Sequence, residues 1–339
     1  MTNEIIDMHI HFGAPHDAQS GCYWSKDFEK TAAYFAMLLL TKSLFKRVDI
    51  NRLKKNLLSV INGSKHVDKS VLLAMDEVYD EKGQVHKEWT HLHVPNRYLA
   101  SLARENGRVL FGASIHPYRG DWEEELDFCL ENKAVLCKWI PSSQMINPTH
   151  PRCADFYFKL ADHKLPLLCH SGPEYAIPTS NEKYNQFNNP KYLRNALELG
   201  VTIIIAHCAL PYFWLLDVEY QDDFREFLRL FKDAEKWGWN LYADVSAITG
   251  PLRLPYIEKI LQQIPRERLL FGSDYPIPLS ELSYNKSTNF FAWLKFVTKV
   301  MFMKNPLDKN YLIVKEMGFG ERLLTNAERL FSLIRYSLA

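Results

Sequence analysis

The chain has 339 residues, 47% hydrophobic and 24% charged, enough for one large α/β domain with insertions or two ordinary ones. Lys plus Arg number 41 against 40 Asp plus Glu, and the resulting net charge of +1 predicts no nucleic-acid or membrane attachment. The longest apolar run, 32–40, is about half a membrane span. No signal peptide is expected before the opening strand, and six cysteines without a CxxC spacing suit reduced thiols in a cytoplasm.

Residues 5–13, Ile-Ile-Asp-Met-His-Ile-His-Phe-Gly, alternate apolar and polar positions and predict a β-strand. Side chains two apart share a face, so His9 and His11 point the same way, about 7 Å apart along the strand, with Asp7 one step deeper. Alone, this is either the polar face of a strand or a pair of metal ligands. Seven further short apolar runs follow, at 70–76, 110–117, 135–140, 166–172, 202–208, 241–246 and 269–276. Helical patterns lie between them at 97–106, 122–132, 154–163, 192–199, 224–236 and 256–264. Near-continuous apolar strands suit a parallel sheet covered by helices, and eight of them predict a (β/α)₈ TIM barrel, a single domain over 1–339. No glycine-rich turn follows the first strand to favour a doubly wound sheet.

Two stretches break the rhythm. Residues 14–69, with helices at 28–40 and 50–61, are expected to form a helical cap insertion after strand one. Residues 173–190, rich in Asn, Pro and Tyr, are expected to loop over the same barrel mouth. Helices at 288–303 and 323–334 are expected to close the chain.

Functional groups of such a barrel sit at the C-terminal ends of its strands. His9 and His11, Lys138, His170, His207 and Asp274 all fall near such ends, after apolar stretches where a lone charge or imidazole is expensive to bury. Cys137, Cys169 and Cys208 sit beside them and should face the helix layer. Trp139, Tyr175, Asp244, Ser246 and Arg253 are weaker candidates for substrate contact, each also explicable as packing or loop structure. His116 ends strand three and either faces the site or is a structural histidine, the commoner case for a lone one.

The set Asp7-Met8-His9-Ile10-His11, His170-Ser171-Gly172, Ala206-His207 and Gly272-Ser273-Asp274-Tyr275-Pro276 resembles the amidohydrolase superfamily. Within it, the chain looks nearest the amidohydrolase-related branch that includes aminocarboxymuconate-semialdehyde decarboxylase and metal-dependent hydrolases. Residues 138–148 and Asn326-Ala327-Glu328-Arg329-Leu330-Phe331 add to the likeness, which does not extend convincingly through 14–69.

The resemblance implies that His9, His11, His170 and Asp274 hold one divalent ion. An N₃O donor set suits zinc and tolerates manganese, iron or cobalt. It also implies catalytic roles for Asp274, which accepts a proton from the attacking water, and for His207, which orients that water or polarises a carbonyl. In some relatives the strand-four lysine is carbamylated and bridges two ions. Lys138 with His170 and His207 would serve that arrangement here. The expected activity is hydrolysis of a C–N or C–O bond in a small molecule (an amide, lactone or ester). The alternative is nonoxidative decarboxylation of an unsaturated or aromatic acid at the same ligand set. A homo-oligomer stays open.

Overall fold

The apolar runs form eight parallel strands paired in sequence order. They are β1 Ile6–His11, β2 Lys69–Leu73, β3 Val109–Ala113, β4 Leu136–Trp139, β5 Leu167–Cys169, β6 Ile203–Ile205, β7 Leu241–Asp244 and β8 Leu269–Leu270. The computed structural model describes residues 3–337 except 42, 45, 47, 212–220, 250–252 and 278–289. The chain after β8 returns to β1: Met8 N–H donates to Phe271 O at 3.1 Å, Asp274 N–H to His9 O at 2.8 Å, and His11 N–H to Tyr275 O at 2.8 Å. Those bonds close the ring, and the fold is the expected (β/α)₈ barrel.

Period-two alternation sorts the side chains into two cores. Inside the barrel pack Ile6, Met8, Val71, Leu73, Leu136, Leu168, Ile204 and Leu270, with Ala327, Leu330 and Phe331 of the C-terminal helix plugging the lower end. Between strands and helices pack Leu72, Phe111, Cys137, Trp139, Cys169, Ile205, Cys208 and Phe271. The three cysteines thus face the helix layer as expected. Lys138 stands opposite Leu168 in the ladder, so His170 lies one step above it. The strand-end groups therefore do not all start at one depth, and the long lysine stem makes up the difference.

The helices follow their apolar periodicity. Helix Gln221–Trp237 buries Phe224, Phe227, Leu230, Phe231 and Ala234, one stripe at helical spacing. Helix Pro306–Glu316 has no counterpart among the predicted helices. Its start reads locally as a turn, but Asn305 is an N-cap whose Oδ1 accepts from Leu307 N–H at 2.9 Å, with Pro306 in the first turn, where no backbone donor is needed. The predicted helix at 288–303 is observed as Phe290–Met301, and residues 288 and 289 lie outside the described residues.

The insertion after β1 divides. The helix predicted over 28–40 breaks at Thr31, which ends a short 3₁₀ turn and caps α1 (Ala32–Leu40) by accepting from Tyr34 N–H at 3.1 Å. This helix lies at the barrel mouth. The second, α2 (Ile50–Asn62), is capped by Asp49 and docks on the barrel's flank, where Asn305 Nδ2 donates to Val60 O at 2.7 Å. Only the first half of the insertion covers the mouth. Two short antiparallel strands, Tyr23–Trp24 and Leu92–His93, tie that half down. The loop after β5 is pinned as well: Thr179 Oγ1 donates to Ser142 O and Ser143 Oγ to Ile177 O, each at 2.7 Å. No helix among the described residues is long and apolar enough to cross a membrane.

Candidate metal centre

Three side chains converge at the C-terminal end of the barrel. His9 Nε2 stands 3.1 Å from His11 Nε2, and Asp274 Oδ1 lies 3.5 Å from the first nitrogen and 3.3 Å from the second. Donors held ~2.1 Å from one ion in tetrahedral or octahedral geometry lie roughly 3.0–3.4 Å apart. The trio therefore has the spacing of ligands that share a metal ion. His9 and Asp274 are buried and His11 is half-buried, so the cluster opens to one side.

The protonation of His9 follows from its partner. Its Nδ1 lies 2.8 Å from Asp244 Oδ2, and a carboxylate can only accept, so the proton sits on Nδ1 and Nε2 presents a bare lone pair to the cluster. Burial and the nearby Lys138 amine push the His9 imidazole down to about 4, against the pull of Asp244, which keeps it neutral. Asp244 also accepts from the backbone N–H of His207 (2.9 Å) and Ser246 (3.0 Å), and from Ser246 Oγ. Burial alone would raise this carboxyl. Its pairing with His9, together with the neighbouring His207 and the hydrogen bond from Ser246, holds it below the usual carboxylate range. Asp274 behaves likewise: burial is outweighed by His207, His11 and His9.

Backbone strain gathers at the same place. His207, Cys208 and Ala209 have φ of 56°, 52° and 50°, and Asp274 has φ of 63°, all in the left-handed region. Non-glycine residues there cost about 1–3 kcal/mol each and persist only where surrounding bonds over-determine them. Here the Asp244 carboxylate fixes His207 N–H, and β1 fixes Asp274 N–H. Gly272 makes room: a Cβ there would stand 2.9 Å from His9 Cβ and 3.2 Å from Ser246 Cβ.

The other predicted ligands flank the trio. Lys138, fully buried, places Nζ 3.5 Å from His9 Nε2. Its amine is lowered, chiefly by burial and despite Asp244 and Asp274. His170 stands apart from the trio: its ring is 5.1 Å from that of His207, and its Nδ1 faces Glu174 Oε2 at 3.3 Å. Burial lowers both imidazoles, so both are neutral. His207 Nδ1 meets Ser246 Oγ at 2.7 Å. His11, His170, His207 and Asp274 together floor a cavity of about 420 Å³.

The sequence matches the amidohydrolase family over residues 6–301. The chain belongs to that family. No curated protein matches it. Among solved structures it is similar to an uncharacterised TIM-barrel protein of Bordetella bronchiseptica, at 15% identity and a TM-score of 0.56 over 96% of this chain and 100% of that one. It is also similar to a putative 2-pyrone-4,6-dicarboxylic acid hydrolase of Pseudomonas putida (14% identity, TM-score 0.51, 94% and 99% covered). A third is 5-carboxyvanillate decarboxylase of Sphingomonas paucimobilis (13% identity, TM-score 0.51, 98% and 99% covered). Likeness at this identity establishes the fold. Amidohydrolases are metal-dependent, and His9, His11 and Asp274 form a candidate metal site in this one, beside a second group of suitable spacing, His9, His207 and Asp244.

Three sequence expectations need correction in this amidohydrolase. Asp7 does not share the face of His9 and His11. A register irregularity between Asp7 and Ile10 turns it toward β8, where its Oδ1 accepts from the N–H of Ser273 (2.8 Å) and His9 (3.2 Å). Burial raises that carboxyl to about 7. Trp139 is no substrate contact: its neighbour Lys138 points into the barrel, so the indole points out, donating to Ile115 O at 2.8 Å and stacking on Phe156. Asp244, weighed as a substrate contact, holds His9 from behind. Tyr175 and Arg253 do line the cavity, and Arg253 is buried, donating to Ala247 O at 3.0 Å. His116 is structural, set between Gln144 O at 2.8 Å and Tyr118 N–H at 3.2 Å. Glu174 and the packing role of Gly272 escaped sequence reading. Asp244 had a usable signal, a carboxylate at a strand end, whereas a loop residue such as Glu174 follows no facing rule.

Proposed function

We propose that this amidohydrolase is a hydrolase that uses one zinc ion to cleave a C–N or C–O bond (amide, lactone or ester) of a small molecule in the cytoplasm. The supporting observation is the ligand trio, with His11 and Asp274 on the floor of an apolar cavity and His9 behind them, neutral and with its Nε2 aimed by Asp244. Bound zinc supplies Lewis acidity and brings the pKa of a water to about 7. His9, His11 and Asp274 would hold it, and His170 would complete the set by turning from Glu174 and Pro173.

The chain's own groups then divide the proton work. Asp274 Oδ1 faces the histidine nitrogens while Oδ2 lies 4.0 Å from His207 Nδ1, so this ionised carboxylate spans the ligand trio and the reaction space. It accepts the proton of the attacking water and passes it to the leaving atom. His207, neutral and held at Nδ1 by Ser246, offers its other edge to orient the water or polarise the carbonyl. Burial already lowers the Lys138 amine, and a cation held beside it would lower it further. A carbamylated Lys138 with His207 and His170 is the two-ion arrangement, and two metal equivalents per chain would replace the one-ion reading.

A second reading is decarboxylation of a small unsaturated or aromatic acid. Arg253, a buried guanidinium on the cavity wall, favours a substrate that carries a carboxylate. Zinc-loaded protein assayed on lactones, esters, amides and aromatic acids in ¹⁸O water separates the two. Label in the product acid supports hydrolysis. Release of CO₂ without label overturns it in favour of the lyase.

A further inference from the structure

Above its polar floor the cavity changes character. Phe28, Ala33, Ala36 and Met37 of the insertion wall one side, with Leu92, Ile140 and Ile177 beyond. Helix α1 reads Ala-Ala-Tyr-Phe-Ala-Met-Leu-Leu-Leu, and it turns its alanines and Met37 to the cavity while Leu38 packs into the core. Alanines at three of the cavity-facing positions (32, 33 and 36) leave space that larger side chains would fill. Arg253 is the one Arg or Lys side chain lining the cavity among the described residues; of the two lining carboxylates, Asp274 belongs to the polar floor and Glu174 is already engaged. Its carboxylate meets His170 and the backbone N–H of Ala176 and Ile177.

From this division we infer that the site, read as above, takes a substrate with a single polar or anionic head and an uncharged apolar body. The head lies among the histidines, Asp274 and Arg253, and the body lies along the alanine face of α1. A second charge at the far end would be desolvated against α1 with no partner among these wall residues, which disfavours dicarboxylates. A volume of about 420 Å³ suits a compact small molecule. Ala33 and Ala36 act as specificity-determining residues, because their small size sets the room left for the body.

Binding tests this without turnover. Zinc-loaded full-length protein is titrated calorimetrically with straight-chain monocarboxylates from butanoate to decanoate and with dicarboxylates of matched length. Burial of each methylene should tighten binding about four-fold until the cavity is filled. The matched dicarboxylates should bind at least ten-fold more weakly than the monocarboxylates. Ala36→Phe and, independently, Ala33→Leu should erase most of the gain for the longer chains, while metal content and unfolding midpoint report an intact site and fold. A flat chain-length series, or dicarboxylates that bind as well as their monocarboxylate partners, overturns the inference. The outcome is separable from the proposed reaction. Length-dependent binding by a protein that hydrolyses nothing keeps this inference and sinks the hydrolase, and ester turnover with a flat series does the reverse.

Discussion

Replacing Asp244 by Asn tests the assignment of His9 most sharply. The carboxylate serves four donors: His9 Nδ1 at 2.8 Å, the N–H of His207 at 2.9 Å, the N–H of Ser246 at 3.0 Å, and Ser246 Oγ. An Asn side chain has one acceptor oxygen. If that oxygen keeps the two backbone N–H groups, the NH₂ faces His9 Nδ1, donor against donor. His9 escapes by moving its proton to Nε2, the atom 3.1 Å from His11 Nε2, and loses the lone pair the metal needs. Restoring the ligating tautomer leaves a buried donor unsatisfied at a cost of about 1–3 kcal/mol, or roughly 5- to 150-fold in affinity. That range overlaps the 10- to 100-fold (on the order of) typical when a ligand's hydrogen-bonding partner is lost. Zinc competition against a chromophoric chelator measures it, with the urea midpoint as a control. The backbone bonds survive the change, so stability should move by no more than about 1 kcal/mol. An Asp244→Asn protein that binds zinc within two-fold of the parent refutes the tautomer argument.

Gly272→Ala should push His9 off its position, since the new methyl arrives 2.9 Å from His9 Cβ; a loss of about 1–3 kcal/mol in urea stability and weaker zinc binding are expected, and a variant matching the parent in both contradicts the packing. Paired His9→Ala and His11→Ala substitutions should leave metal content near zero while the barrel keeps its circular dichroism, and retained metal would move the site elsewhere. Acid stability should depend on His116, which burial pushes down to about 3 in the folded chain. Between its unfolded value near 6.5 and that folded value, the unfolded chain binds the extra proton. Stability present above pH 6.5 is therefore lost as pH falls, by about 1.4 kcal/mol per unit, or about 2 kcal/mol at pH 5. His116→Gln should reduce the loss between pH 7 and pH 5 by that amount in urea titrations, and equal slopes would refute it.

The sequence by itself determined the barrel and nominated the residues of its candidate site. Period-two apolar runs alternating with helices are local patterns, set by which face of each element is buried, and they survive reading one segment at a time. His9, His11, His170, His207, Lys138 and Asp274 were legible as polar exceptions at the ends of such runs. Alternation also had more to give: with Cys137 outward and Lys138 inward, Trp139 had to point out. What only the tertiary structure decided is who meets whom. Asp244 holds His9 across 235 residues of sequence, and that contact depends on the stagger of β7 against β1. Likewise, the irregularity between Asp7 and Ile10 withdraws Asp7, and the ladder offset sets Lys138 below His170. The division of the insertion, α1 over the mouth and α2 on the flank, follows from docking surfaces offered by the rest of the barrel. Local pattern says which face of an element is buried, but strand stagger and packing decide what it is buried against.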